Sequence, residues 1–232
     1  MRLLIINPNS SSGVTRHIGK AARQAARPGD EILAIEAHGA PALIVDEADA
    51  REAERAVVET VRATVEAPRG EFDGIVVASF GDTGAAALRD RVGCPVVGIG
   101  HASLLTAAAL GGPFAIVSFA PAVVPSMRWM VEDYRMQHLF SGIHVVDTPL
   151  PDDPGEIQAV TAEALLARCR EVAARGECRS IILGGGPLAG LAPRLASALP
   201  LPVIDPTMAA VQLQRSLQLF RGGERVLCRE PA

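Results

Sequence analysis

The sequence predicts an α/β protein of two pseudo-symmetric lobes, each a parallel sheet covered by helices, with a ligand site in the cleft between them. Three observations predict it. Short apolar runs rich in Val and Ile alternate with Ala-rich segments of helical spacing. Most runs are continuous rather than alternating, as in strands buried on both faces. The second half of the chain repeats the order of the first at an offset of roughly 105–110 residues, too long for a solenoid repeat.

Taken in order, the expected strands are Leu3 to Ile6, Glu31 to Ile35, Ile75 to Ala78, Val96 to Ile99, Phe114 to Val117, Ile143 to Val146, Ser180 to Leu183 and Pro202 to Ile204. The expected helices are Gly13 to Ala25, Glu47 to Val65, Gly84 to Arg91, Ala122 to Gln137, Glu156 to Arg175, Leu188 to Ala198 and Thr207 to Leu219. Such alternation gives parallel sheets with helical crossovers. The repeat is visible in the residues. Asp73-Gly74-Ile75-Val76-Val77-Ala78-Ser79-Phe80-Gly81 leads through a short helix to Cys94-Pro95-Val96-Val97. Arg179-Ser180-Ile181-Ile182-Leu183-Gly184-Gly185-Gly186 leads the same way to Leu201-Pro202-Val203-Ile204. Each half closes with an Ala-rich helix, and Leu3 to Asn7 parallels Phe114 to Ser118. We therefore expect two Rossmann-like (flavodoxin-like) lobes, residues 1–100 plus 206–232 and residues 101–205. No low-complexity linker separates them, which implies a tight interface.

Bulk properties narrow the partners. The 232 residues carry a formal charge of -4 and no dense Lys/Arg run, which argues against nucleic acid. No apolar stretch reaches the roughly 20 residues of a membrane helix. The apolar opening is too short for a signal peptide, so a cytoplasmic protein is expected. Cys94, Cys169, Cys178 and Cys228 match no zinc or redox spacing and are expected to be reduced thiols. His17, His38, His101, His138 and His144 show no metal-ligand spacing.

In open parallel sheets, ligands bind beyond the carboxyl ends of the strands. Those ends here carry Asn7-Pro8-Asn9-Ser10, Ser79-Phe80-Gly81-Asp82-Thr83-Gly84, Ser118-Phe119 and Gly184-Gly185-Gly186-Pro187. Glycines let backbone N–H groups approach a ligand, and helix starts favour anionic oxygen. An anionic or carbonyl-containing small molecule is the expected partner. The same residues also suit plain turns and caps, with Ser10 to Ser12 capping the first helix.

At these strand ends the chain resembles the hydantoin and allantoin racemases of the aspartate/glutamate/hydantoin racemase superfamily. The resemblance is carried by Ile6-Asn7-Pro8-Asn9-Ser10, Phe80-Gly81-Asp82-x-Gly84, Pro95-Val96-Val97-Gly98-Ile99, Tyr134-Arg135-Met136-Gln137, Ile182-Leu183-Gly184 and Pro202-Val203-Ile204-Asp205. It implies a cofactor-independent, homo-oligomeric isomerase in which two cysteines face the substrate α-carbon from opposite sides. In this chain the two cysteine positions fall on Ser79 and Gly185. A serine hydroxyl needs a neighbouring base, and glycine carries no proton.

His101 follows Gly98-Ile99-Gly100, where relatives usually carry glutamate, and is a candidate general base. Asp82 is a candidate to orient Ser79 or accept a proton. The expected catalytic set is Ser79, His101 and Asp82. The expected substrate-binding set is Asn7, Asn9, Ser10, Phe80, Gly81, Thr83, Ser118, Phe119, Gly185, Gly186 and Pro187, with no metal and no cofactor. The leading expectation is racemase-type chemistry at a carbon α to a carbonyl or carboxylate of a hydantoin, ureido or amino-acid-derived molecule. The alternatives are a lyase, decarboxylase or hydrolase using Ser79 and His101, or a non-catalytic metabolite binder.

Overall fold

The computed structural model describes residues 1–220. The first sheet contains β1 (Arg2–Asn7), β2 (Glu31–Glu36), β3 (Gly74–Val77) and β4 (Val96–Gly98), in the order β2-β1-β3-β4. The second contains β5 (Phe114–Ser118), β6 (Phe140–Val145), β7 (Ser180–Gly184) and β8 (Val203–Ile204), in the order β6-β5-β7-β8. All pairings are parallel, and the two orders are the same with the strand numbers offset. The helices are α1 (Ser12–Ala25), α2 (Glu47–Glu66), α3 (Ala85–Arg89), α4 (Ile99–Ala109), α5 (Val124–Asp133), α6 (Ile157–Ala174), α7 (Ala192–Ala196) and α8 (Pro206–Gln218).

The central strands β1, β3, β5 and β7 are almost wholly buried, as their continuous apolar runs require. Successive side chains of β1 divide between two cores. Leu3 and Ile5 join a cluster that also holds Ile116, Leu183 and Leu188 of the second lobe. Leu4 and Ile6 point the other way, into a cluster with Val57 and Val61 of α2. Each such aliphatic side chain contributes about 1.5–3 kcal/mol on burial. The outer strands β2 and β6 are only partly covered. The expectation of strands buried on both faces is corrected there, whereas β4, also at a sheet edge, is fully buried.

Two features tie the lobes together. Helix α4 follows β4 of the first sheet but packs on α8 and β7, whereas α8 follows β8 and packs on α1, α4 and the first sheet. Buried Gln214 of α8 fixes this arrangement by donating to the carbonyls of Ile75 (2.6 Å) and Pro95 (3.0 Å). On the other side, the His17 ring lies 2.9 Å from the Gly155 carbonyl. Helix α1 also comes so close to the loop before α6 that a Cβ on Gly13 would lie 2.7 Å from the Gly155 Cα.

The cysteines divide. Cys169 and Cys178 are free and buried, and burial pushes the Cys169 thiol up to about 12. Cys94 is disulfide-bonded, which corrects the expectation of a reduced thiol there. Cys228 lies outside the described residues. No described helix is long and apolar enough to cross a membrane.

Replacing Gly13 by alanine forces backbone apart at the lobe interface. Gly13→Ala should lose about 1–3 kcal/mol of stability. In urea the midpoint falls while the slope stays constant.

Candidate active site

Strand register brings the sequence-predicted turns together. In the first sheet Ile6 pairs with Val77, and the Ala78 N–H donates to the Ile6 carbonyl at 2.8 Å. The turns leaving β1 and β3 therefore start side by side. In the second sheet Ser118 pairs with Gly184, which sets Phe119 beside Gly185. The two lobes then meet turn to turn: a Cβ on Gly186 would lie 2.6 Å from the Ala78 carbonyl oxygen. Residues 78–83 and 184–187 thus form one locus at the carboxyl ends of both sheets.

Much of the polar inventory here holds the turns themselves. The Asn7 amide donates to Asn9 Oδ1 (2.8 Å) and Thr15 Oγ1 (3.1 Å), and Asn9 Oδ1 accepts from the Ser11 N–H (2.9 Å). Ser11 is the cap of α1, its hydroxyl accepting from the Val14 N–H. Ser10 is exposed, and its N–H donates to the Pro41 carbonyl. Buried Ser118 donates to the Gly184 carbonyl at 2.7 Å, locking β5 to β7 where the glycine turn begins. Phe80, Phe119, Gly185, Gly186 and Pro187 are buried, whereas Ser79, Gly81 and Thr83 are half-buried.

The Ser79 hydroxyl accepts from the Thr83 N–H at 3.1 Å. Among the described residues no hydrogen bond joins it to His101 or Asp82. Asp82 adopts φ +50°, a left-handed conformation that Asp tolerates better than most residues. It turns its carboxylate onto the start of α4, accepting from the N–H groups of Gly100 (2.8 Å) and His101 (3.0 Å) and from the Tyr134 hydroxyl (3.3 Å). This is the anion that a helix N-terminus favours. The N-terminus of α4 is therefore occupied by the chain's own carboxylate. Gly98 is required beside it, because any Cβ there would overlap the Asp82 carboxylate.

Asp82 is only 8% exposed. Burial pushes its carboxyl up to about 7, against the opposing pull of its hydrogen bonds and of Arg89. His101 stacks on Tyr134, with ring centroids 3.9 Å apart and an interplanar angle of 7°. Burial, helped by the Arg89 charge, holds His101 below its usual range and so neutral near pH 7. Tyr134 is pushed up by burial and by Asp82. Tyr134 and Arg89 were not among the predicted site residues. The available signal was that Tyr134 opens Tyr134-Arg135-Met136-Gln137, one of the segments that carry the family resemblance.

His38 is exposed, and its backbone N–H donates to Thr60 Oγ1 (2.9 Å). Asp205 caps α8 by accepting from the Met208 N–H and also receives the Gly190 N–H (2.6 Å). No group of three or more His, Cys, Asp or Glu suited to a metal occurs among the described residues. A separate cleft of about 410 Å³, lined by Met1, Arg2, Glu31, Arg69 and Asp73, lies at the amino ends of the first sheet, away from the polar turns.

The sequence profile of the Asp/Glu/Hydantoin racemase family matches residues 3–214. A hydantoin racemase of Paenarthrobacter aurescens is 33% identical over 218 residues, covering 94% of this chain and 91% of the relative. The structure of an allantoin racemase from Klebsiella pneumoniae superposes with TM-score 0.87 at 34% identity, over 94% of this chain and 88% of that one. Unliganded arylmalonate decarboxylase superposes with TM-score 0.62 at 18% identity, covering 96% and 93%, a likeness of fold alone.

Asp82 makes stability depend on pH. A carboxyl that keeps its proton to about pH 7 folded, but only to its ordinary 3.8 unfolded, binds more protons in the folded state between those values. Its contribution therefore falls as pH rises through that interval. Asp82→Asn should remove this component, so the stability difference between pH 5 and pH 8 shrinks relative to wild type. Equal pH slopes in urea unfolding of the two proteins would count against the shift.

Proposed function

The chain belongs to the Asp/Glu/hydantoin racemase family, and we propose that it is a cofactor-independent enzyme acting on the proton of a carbon next to a carbonyl, in a hydantoin-like or ureido molecule held between residues 78–83 and 184–187. Homology supports racemase-type function. One observation carries the finer reading: the contact between Gly186 and the Ala78 carbonyl, which joins the two polar turns at a single place.

The chemistry asks for two things. The C–H bond becomes acidic only if its electron pair can move into the adjacent carbonyl, so donors must meet the developing oxygen charge. A base must also take the proton, and its pKa is best near the working pH. The half-buried Ser79 hydroxyl is the reactive side chain that opens the first turn. A hydroxyl alone is too weak an acid and base and needs a neighbouring group to pass the proton on. Asp82, in the same turn, is the candidate for that group, because burial pushes its carboxyl up to about 7.

The substrate class follows from the names of the relatives. Hydantoin and allantoin share a ring CH between a carbonyl and a urea nitrogen, the type of carbon acid this mechanism requires. The hydroxyl-and-imidazole hydrolase reading lacks support, because no Ser79–His101 hydrogen bond occurs among the described residues.

Deuterium uptake at the ring CH of a 5-substituted hydantoin in heavy water, above an enzyme-free blank, tests the reading. Ser79→Ala should slow that uptake by about 100-fold or more, the size of effect a proton-transfer group supplies. Its unfolding free energy should stay within about 1 kcal/mol of wild type, because Ser79 anchors a single turn N–H. Unchanged uptake in a folded Ser79→Ala protein would refute the assignment.

A further inference from the structure

We propose that Tyr134 is a positioning residue for the reaction: reaching over from the helix that follows β5, its phenol holds the Asp82 carboxylate of the first turn ready to accept a proton. The inference rests on the reading that Asp82 passes on the substrate proton, and it names the second-lobe group on which that step depends.

One face of α5 packs on both polar turns. A Cβ on Gly184 of the second turn would lie 2.8 Å from Met127 Cε. Ser126, Met130 and Tyr134 are spaced four apart, so they follow one another along the helix. Each of them meets the first lobe. A Cβ on Gly81 would lie 3.8 Å from the Ser126 Cβ, and a Cβ on Gly100 would lie 2.7 Å from Met130 Cε. Tyr134, the C-cap of α5, continues the series. Its hydroxyl donates at 3.3 Å to Asp82 Oδ2, the oxygen that also accepts the His101 N–H. Its ring lies flat on the His101 imidazole at 3.9 Å.

The donors to the Asp82 carboxylate are not equivalent. The Gly100 and His101 N–H groups belong to the backbone of α4. The phenol is the one side-chain donor among the described residues, and it comes from the other lobe. The titratable and charged groups facing Asp82 are Tyr134, His101 of α4 and Arg89 of α3. Burial raises the carboxyl, while the amides, the phenol and the Arg89 charge pull it back. A donor to a carboxylate favours its ionised form, which is the base. Tyr134 remains a donor over the whole range, because burial and the Asp82 charge push the phenol up. Burial holds His101 low, so the imidazole adds no competing charge near neutrality.

Tyr134→Phe removes the hydroxyl and keeps the ring that stacks on His101. The half-buried side chain loses one oxygen only, so the variant should stay folded. Two measurements compare it with wild type. The first is independent of turnover. Carbon NMR of protein labelled at aspartate carboxyl carbons follows the titration of Asp82, with Asp82→Asn identifying its resonance. The midpoint should rise by about 0.5–1 pH unit in Tyr134→Phe. The second is deuterium uptake at the ring CH of a 5-substituted hydantoin, against an enzyme-free blank, between pH 5 and pH 8. The rate of the variant should be about 3- to 10-fold below wild type at pH 5 and within about 2-fold of it at pH 8, because the base form is depleted only below its midpoint. A purely structural role would lower the rate by the same factor at every pH. That result, or an unmoved Asp82 midpoint while wild type takes up deuterium, overturns the proposal and leaves the carbon-acid reading standing. Absence of uptake by wild type at every pH overturns that reading, and the positioning role with it.

Discussion

The close approach of Gly186 to the Ala78 carbonyl is the constraint from which the candidate site follows. Two lobes of the same topology are pressed together at their strand carboxyl ends, with no room for a Cβ between them. Interiors pack at crystal-like density, so a single added methyl would have to move a lobe or break the turn. The spacing is held from further away by the exchanged helices α4 and α8 and by the α1 contact with Gly155. The candidate site is thus a consequence of interlobe packing, beside the core that spans both lobes.

Electrostatics gives the first turn a character that the second lacks. Asp82 is a buried anion that the chain satisfies itself, with two backbone N–H groups and a phenol. Taking a carboxylate out of water is costly, and three donors repay part of that cost. The remainder appears as a carboxyl that titrates near neutrality. The His101–Tyr134 stack and the Arg89 charge complete a polar cluster on the first-lobe side. Around residues 184–187 the structure instead presents backbone and the Phe119 ring.

The fold was largely legible in the sequence, because its signals are local. Continuous runs such as Ile75 to Ala78 and Ile181 to Leu183, set between helical segments, match strands buried on both faces, and both are central strands. The half-exposure of β2 and β6 was not legible, since position in a sheet is a property of the whole fold. Nor did periodicity assign bounds to α4, whose apolar residues encircle the helix rather than forming a stripe. The turns of the candidate site were also legible, being clusters of Gly, Ser and Asn at strand ends. What their side chains do was not. Asn7 and Asn9 read equally as ligand contacts or turn formers, and their hydrogen bonds run within the turn. The pairing of Asp82 with the start of α4 and with Tyr134, 52 residues away, depends on tertiary packing. So does the meeting of Phe119 with Gly185.

The central claim is that one ligand is held by both turns at once. Amide hydrogen exchange with and without a saturating 5-substituted hydantoin tests it most directly. The account predicts slowed exchange at residues 79–84 and 185–189 together, with the cleft around Arg2 and Arg69 unaffected. Protection confined to one turn, or appearing instead at that distant cleft, would contradict it.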